Sequence, residues 1–327
     1  MKKKILLLFL AAVFFLLCGC NKKQETSEFW AMDTYCTITA PSSAVSAAEK
    51  AVNDAAALLE NAGGEQNYLF ADKNMEFTLP EPVAEAVKTS LEISEMTDGA
   101  FDITIAPLSK LWNITERTVP PTEKEIEDAL KLVGYKSVML EGNTVRFSEE
   151  GRGIDIGAVG KGMAAKASIS ALKEQSVEEA IVNLGGNVCV LGDKNGEKYK
   201  IGIKDPKSDG LLGYVSVGNT SVVTSGVYER NFEYDGKIYH HILDTSTGYP
   251  ADNGLLSVTV VCDDPVAADI LSTAFFVVGK ENAAALFEKC TAYGLKTVIF
   301  VSENGGIYTV GQNDLFILGK EEYFFEN

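Results

Sequence analysis

The spacing of apolar residues along the chain predicts a mixture of helices and strands. Apolar side chains recur at helical intervals in five segments, which are Ser43 to Asn61, Glu81 to Met96, Val159 to Lys173, Val266 to Val278 and Glu281 to Cys290. Strand-type patterns occupy five others, which are Trp30 to Ala40, Ala180 to Leu191, Lys198 to Leu243, Leu255 to Cys262 and Thr297 to Val301. Because the two types do not alternate strictly, the pattern favours an α+β fold with mixed or antiparallel sheets over a doubly wound one.

Turn and capping residues mark the ends of several of these elements. Asp98-Gly99 stops the second helix, and Gly185-Gly186 breaks the strand pattern from Ala180 to Leu191. Thr122 and Glu125 have capping-box spacing, which predicts a short helix that ends at Gly134.

The N-terminus is typical of an export signal. Lys2 to Lys4 precede an apolar run from Ile5 to Leu17, which is short for a membrane span. Leu17-Cys18-Gly19-Cys20 resembles a bacterial lipobox, in which Cys20 becomes the lipid-modified first residue. An ordinary signal peptide or an uncleaved anchor is the alternative. We expect a signal at residues 1–19, a polar tether at 20–29 and one domain at 30–327.

Charge and cysteine content exclude some classes of function. The formal net charge of -17 argues against a nucleic-acid partner, which requires a basic surface. An anionic substrate would need a metal ion, helix N-termini or backbone amides to hold it. The remaining cysteines lie in apolar stretches without a C-x-x-C motif, so we expect buried free thiols rather than a metal site; they are Cys36, Cys189, Cys262 and Cys290.

The only two histidines of the chain, His240 and His241, are adjacent and lie shortly before Asp244. Histidine has an unperturbed pKa near neutral pH, which makes it the first candidate for proton transfer. In a strand the two side chains would point to opposite faces, so one at most enters a site. A solvent-exposed pair at a strand edge is the alternative.

Two further segments could hold an anion and a cation. The glycine-rich stretch from Gly151 to Gly162 precedes a helix and includes Lys161, but it matches neither a Walker A nor a G-x-G-x-x-G motif. Asp269, Ser272 and Thr273 lie one helical turn apart and outline an oxygen site for a hard cation. A structural turn and an ordinary polar helix position are the respective alternatives.

Together these motifs resemble the ApbE family of FAD:protein FMN transferases. The resemblance runs from Trp30 to about Val310 and rests on motifs in family order, which are Met32-Asp33-Thr34, Asp98 to Thr104 with Pro107-Leu108 and Trp112, Asp155 to Gly162, Asn183 to Gly186, and Thr224 to Pro250 followed by Ala268-Asp269 and Thr273. It implies an ApbE-like, T-fold-like architecture.

The resemblance also implies roles for individual residues. The FAD contacts would be Met32, Ala100, Phe101, Asp102, Asp155, Lys161 and the backbone near Leu243. Mg²⁺ would be bound by Asp269, Thr273 and the backbone oxygen of Ala158, with Ser272 where many members have a third acidic residue. His241 would be the catalytic histidine, with Asp244 close to it. The residue that covers the flavin ring is not identified between residues 60 and 70.

The implied activity is Mg²⁺-dependent transfer of FMN from FAD to a Thr or Ser hydroxyl of an acceptor redox protein, with release of AMP. Mg²⁺-dependent hydrolysis of FAD to FMN and AMP is one alternative, and a non-enzymatic FAD-binding lipoprotein is another. The lipobox implies a palmitate-type lipid anchor on the extracytoplasmic face of a bacterial cell membrane.

Overall fold

The computed structural model describes residues 23–63, 67–73, 75–194 and 196–326. The predicted signal peptide and the lipidation site at Cys20 lie outside these residues. Within the described ranges, no helix has the length and apolar content needed to cross a membrane.

Six of the seven helices in the described part agree with the apolar periodicity and the capping box, and α3, at Ala106–Trp112, was not predicted. In chain order the helices are α1 Val45–Gly63, α2 Glu81–Met96, α3 Ala106–Trp112, α4 Glu123–Leu130, α5 Gly160–Glu174, α6 Pro265–Val278 and α7 Ala283–Cys290. The capping box of Thr122 and Glu125 is present, but α4 ends at Leu130 rather than at Gly134. After Leu130 the chain forms 3-10-type turns, because the backbone N–H groups of Leu132 and Val133 donate to the carbonyl oxygens three residues earlier.

The strands form one large sheet and several small ones. In chain order they are β1 Gln24–Ala31, β2 Thr34–Pro41, β3 Tyr68–Phe70, β4 Glu76–Thr78, β5 Val138–Glu141, β6 Thr144–Phe147, β7 Gly153–Asp155, β8 Ala180–Leu184, β9 Asn187–Leu191, β10 Tyr199–Lys204, β11 Leu211–Val217, β12 Thr220–Gly226, β13 Asn231–Tyr234, β14 Lys237–His240, β15 Leu255–Cys262, β16 Leu295–Ser302, β17 Gly306–Gly311, β18 Phe316–Leu318 and β19 Phe324–Phe325. The large sheet has the order β1-β2-β8-β9-β12-β15-β16-β17-β19, and only its β17–β19 pair is parallel.

The segment from Trp30 to Ala40 is a hairpin rather than the single strand that its pattern suggested. Strands β1 and β2 pair from Gln24↔Pro41 to Ala31↔Thr34. The two-residue turn between them is Met32-Asp33, with φ of 51° and 55°. This turn type usually contains Gly or Asn-Gly, so the sequence carried no turn signal. Residues 24–29, assigned to the tether, lie in β1, whose polar composition is common in an edge strand.

Apolar side chains pack on both faces of the large sheet. Helices α1, α5 and α6 cover one face and enclose the main core, which includes Val52, Ala164 and Phe275. On the other face, residues such as Val190 and Val261 pack against the small sheet β10-β11-β18. A separate cluster around Trp112 joins α3 and α4 to the segment after β14. Cys36, Cys189, Cys262 and Cys290 are buried free thiols, as predicted.

Candidate active site

Asp155 lies where β7 ends and a short 3-10 turn, Ile156–Val159, leads into α5. Its carboxylate does not cap that turn with a side-chain hydrogen bond. Burial raises the pKa of Asp155 to about 6, although the nearby Ser109 hydroxyl, the backbone N–H groups of Ala158 and Gly157 and the charge of Arg230 act in the opposite direction. Asp155 therefore lies, largely desolvated, at the turn that presents the N-terminus of α5.

Helix α5 meets helix α6 at the predicted cation site. The backbone N–H of Gly162 donates to Oδ2 of Asp269 at 2.8 Å. A Cβ atom at Gly162 would lie 2.6 Å from the carbonyl oxygen of Pro265, so only glycine permits this close approach. Burial raises the pKa of Asp269, while the charge of Lys161 and the Gly162 N–H lower it. The glycine-rich stretch and helix α6 thus meet at the Asp269 carboxylate.

A chain of hydroxyl groups continues from Asp269 along α6. Ser272 Oγ donates to the backbone oxygen of Asp269 at 2.9 Å and lies 2.8 Å from Ser225 Oγ. Thr273 Oγ1 lies 3.3 Å from Ser225 Oγ. Each hydroxyl has one proton, so Ser225 donates to Ser272 and Thr273 donates to Ser225. The lone pairs of Thr273 thus remain available for a cation. Ser225 belongs to the Thr224-Ser-Gly226 motif, but its role depends on a long-range contact that the sequence did not indicate.

The donor atoms of this region fit a hard cation. They comprise one buried carboxylate, hydroxyl groups and the half-buried backbone turn at Ala158. Beside them, the buried amide of Asn187 has no hydrogen-bond partner at either polar atom. Within the described ranges, no group of three or more His, Cys, Asp or Glu residues is placed to hold a metal ion, so a cation here would depend on neutral oxygen ligands.

The two histidines have different environments. His240, the last residue of β14, is buried; its Nε2 lies 3.0 Å from the carbonyl oxygen of Ala251, and its Nδ1 accepts from the Ile242 N–H. Burial lowers the pKa of His240.

The His241 side chain is open to solvent on one side, and its Nδ1 lies 3.3 Å from the Arg230 carbonyl oxygen. Protein on its other sides desolvates it, and with the charge of Arg230 this lowers the pKa of His241 to about 4. The opposite orientation of the pair agrees with the strand argument.

Asp244 and Leu243 shape the turn that follows His241. The Asp244 carboxylate accepts from the backbone N–H of Ser246 at 2.8 Å and from its hydroxyl at 2.7 Å. In the described part of the chain, the side chains of Asp244 and His241 are not joined by a hydrogen bond. Leu243 is buried in the cluster around Trp112, whose indole Nε1 donates to the Gly248 carbonyl at 2.7 Å. These contacts fix the position of the segment that carries His241.

The segment from Ala100 to Asp102 is held by its own hydrogen bonds. Asp102 is buried, and its carboxylate accepts from Thr104 at 2.8 Å and 2.6 Å and from the backbone N–H of Tyr135 at 2.7 Å. Burial raises the pKa of Asp102, and these hydrogen bonds oppose the increase. Phe101 is buried and Ala100 half-buried. The Asp102 carboxylate therefore has a structural role in this loop. A contact with FAD would be a second role of the same residue.

Met32, in the turn after β1, and Tyr68, the first residue of β3, are two further positions with apolar surface. Met32 is half-buried and has a left-handed backbone conformation, which is strained for a non-glycine residue and is often found at ligand sites. Tyr68 pairs with Asp155 across β3 and β7, and its ring lies 6.1 Å from that of Phe70. Tyr68 thus places an aromatic side chain beside Asp155, in the region where the sequence left the flavin contact unassigned.

Comparisons with known proteins agree with this architecture. The chain is 39% identical over 235 residues to the FAD:protein FMN transferase of Klebsiella pneumoniae, covering 70% of this chain and 72% of that protein. It is 36% identical over 222 residues to the FAD:protein FMN transferase of Treponema pallidum, covering 62% of this chain and 61% of the relative.

Solved structures of similar proteins have the same fold. The ApbE protein from Thermotoga maritima superposes with a TM-score of 0.74 at 31% identity, covering 87% of this chain and 96% of that one. The apo flavinyl transferase ApbE from Pseudomonas stutzeri gives a TM-score of 0.74 at 26% identity, covering 91% and 98%. These matches confirm the predicted α+β, ApbE-like architecture. The model of the ApbE family matches residues 32–299, and the chain therefore belongs to the ApbE family.

Proposed function

We propose that the protein is an enzyme, a FAD:protein FMN transferase, as its curated relatives are named. One observation carries the proposal: the backbone N–H of Gly162, next to Lys161 at the N-terminus of α5, donates to the buried Asp269 carboxylate, so the glycine-rich turn and the oxygen-rich cation site are joined. Breaking a pyrophosphate requires charge neutralisation, and transferring the phosphoryl group to a hydroxyl requires a base.

In the proposed reaction, His241 accepts a proton and Lys161 with the N-terminus of α5 stabilises charge. The acceptor hydroxyl, from Thr or Ser, gives its proton to Nε2 of His241 while its oxygen forms a bond to the phosphorus of the FMN group. The bond from that phosphorus to the AMP oxygen breaks, and AMP leaves. Lys161 and the N-terminus of α5 stabilise the negative charge of the phosphates.

The cation site would be occupied by Mg²⁺. Asp269, Ser272, Thr273 and the Ala158 carbonyl would form its oxygen environment, and bound Mg²⁺ would neutralise charge on the pyrophosphate. Gly162 fixes the Asp269 carboxylate through its N–H. Met32, Ala100, Phe101, Asp102, Asp155 and the backbone at Leu243 would contact FAD, and Tyr68 supplies an aromatic surface near them.

Hydrolysis of FAD to FMN and AMP is a second candidate. The solvent-exposed side of His241 supports it, because water can reach the same base. Incubation with FAD, MgCl₂ and a candidate acceptor protein, followed by mass spectrometry of the acceptor, separates the two activities. Transfer adds one FMN to a Thr or Ser of the acceptor, whereas hydrolysis releases free FMN. If neither product forms, both candidates fail.

The cellular setting is also a proposal. The lipobox around Cys20 would anchor the mature protein to the extracytoplasmic face of a bacterial membrane. The acceptor would then be a membrane-associated or exported redox protein. The acidic composition of the chain argues against nucleic acid as a partner.

A further inference from the structure

Asn187, the first residue of β9, is buried without a hydrogen-bond partner. Its side chain is 1% exposed, and neither Nδ2 nor Oδ1 has a partner within hydrogen-bond geometry. A buried primary amide with both polar atoms unpaired is unfavourable, and native proteins rarely contain one. The arrangement indicates that this amide gains its hydrogen-bond partners when a ligand or ion binds nearby.

The sheet directs Asn187 toward the helices. Alternate residues of a strand share a face, so Asn187 lies on the same side as Cys189, while Val188 and Val190 pack on the opposite side against the small sheet. Cys189 Sγ lies 3.1 Å from Ser221 Oγ on the neighbouring strand β12. Helix α5 packs over this face of β8 and β9.

The Asn187 amide lies near the Asp269 carboxylate. A hydrogen-bond-like interaction with the amide lowers the pKa of that carboxyl group, although the pair lies outside strict hydrogen-bond geometry. The Oδ2 atom of Asp269 already accepts from the Gly162 N–H. A small movement of either side chain would bring the amide N–H onto the carboxylate.

We propose that Asn187 is a positioning residue of the divalent-cation site. With a cation at Asp269, Nδ2 of Asn187 donates to the carboxylate and holds it in the binding orientation, and Oδ1 accepts from a water molecule of the cation. This inference rests on the proposed function, because it assumes that the cation site at Asp269 is used. Partners of metal ligands commonly orient them in this way.

The test compares Asn187→Leu, which keeps the side-chain shape without polar atoms, and Asn187→Ala with the wild-type protein. MgCl₂ alone is titrated into each protein by calorimetry, and thermal unfolding is recorded in EDTA. We expect both variants to bind Mg²⁺ about 10–100-fold more weakly. We expect Asn187→Leu to unfold in EDTA at or above the wild-type temperature, since it removes an unpaired buried amide.

Ser168→Ala is the matched control, because the Ser168 hydroxyl on α5 is also buried and unpartnered but lies two turns beyond Lys161. It should bind Mg²⁺ like the wild-type protein. Wild-type Mg²⁺ affinity in both Asn187 variants would overturn the inference. So would a lower unfolding temperature in EDTA for both variants, because that result assigns Asn187 a structural role.

The acceptor assay separates this inference from the proposed function. If the wild-type protein transfers FMN while the Asn187 variants keep full Mg²⁺ affinity, only the role of Asn187 fails. If the wild-type protein binds Mg²⁺ but neither transfers FMN nor hydrolyses FAD, the proposed function fails and the calorimetry still decides on Asn187. If the wild-type protein binds no Mg²⁺, the inference and the Mg²⁺ site fail together.

Discussion

The main-chain carbonyl of Arg230 bonds to His241 twice. It accepts from the His241 backbone N–H at 3.2 Å and lies 3.3 Å from Nδ1 of the imidazole ring. Because a carbonyl oxygen can only accept, the proton of the neutral ring must be on Nδ1. Nε2 then has the free lone pair that a general base requires. Arg230 therefore fixes both the ring and its tautomer through its backbone.

Replacing His241 should remove catalysis without removing FAD binding. We expect His241→Ala to lower the rate of FMN transfer by about 10²–10⁴-fold, the usual loss for a general base. FAD titration by fluorescence should give an affinity near that of the wild-type protein. Rates close to wild type in this variant would show that His241 is not the base.

His240→Ala is the matched comparison for that experiment. We expect its transfer rate to stay within a few-fold of the wild-type rate, because His240 faces the interior. Its unfolding free energy should fall by about 1–3 kcal/mol, since the Ala251 carbonyl and the Ile242 N–H lose a buried partner. A stable but inactive His240→Ala protein would reverse the assignment of the pair.

The low pKa of His241 should be visible by NMR, because the chain has only two histidines. We expect the His241 ring to titrate near pH 4 rather than near the usual value of about 6.5. Between these values the unfolded chain binds the proton and the folded chain does not, so stability falls as pH decreases through this window.

Arg230→Gln should raise the pKa of His241, because it removes a neighbouring cation. The backbone carbonyl that bonds to His241 is retained in this variant. An unchanged His241 titration in Arg230→Gln would exclude the guanidinium as a cause of the low pKa.

Asp269→Asn should separate metal binding from folding. The amide keeps an oxygen for the Gly162 N–H but removes the only carboxylate of the predicted cation set. We expect transfer to fall more than about 100-fold, because even residues that only orient metal ligands contribute 10–100-fold. Thermal unfolding in EDTA should occur at or above the wild-type temperature, since burial disfavours the charged carboxylate. Full activity in limiting Mg²⁺ would contradict the assignment.

Ser225→Ala should interrupt the hydroxyl chain to Thr273. We expect the MgCl₂ concentration for half-maximal transfer to rise about 10-fold, because Thr273 loses its orienting partner. Thr224→Val is the control: it removes the 2.8 Å bond between Thr224 and Thr259 on the opposite face of β12. Both variants should lose about 1 kcal/mol of unfolding free energy. An equal change in Mg²⁺ requirement in both would mean that the effect is a general loss of stability.

Cys20→Ala tests the proposed lipid anchor. The variant should be recovered from the soluble fraction as a folded and active domain, because stable anchoring requires the lipidated cysteine. Cell fractionation with a transfer assay on each fraction measures this. Recovery of the signal-cleaved variant in the membrane fraction would contradict the lipoprotein hypothesis.

Local sequence signals predicted much of the fold. Helix α2 begins and ends where the apolar spacing and Asp98-Gly99 indicate, and Gly185-Gly186 marks the turn between β8 and β9. The turn at Met32-Asp33 was missed because Met32 is not a usual turn former at positive φ and Asp33 alone, without a neighbouring glycine, is a weak signal.

The candidate site was predicted less completely, because its details depend on contacts between distant segments. The motifs identified His241 and Asp269, which carry recognisable chemistry. Ser225 and Asn187 have no such signal: their roles follow from their proximity to α6, which only the folded chain establishes. Similarly, the tautomer that leaves Nε2 of His241 free depends on the backbone carbonyl of Arg230. Every residue type has such a carbonyl, so the sequence carries no signal for this contact.

The hydrogen bond from Trp112 to Gly248 joins residues 136 positions apart in the chain. Closing so large a loop costs conformational entropy, which the packing of the folded chain must offset. The position of the turn after His241 therefore depends on α3, and a local loss of structure at α3 would displace this turn as well. Under the proposed function, a chain that has lost the packing of α3 would be unable to consume FAD.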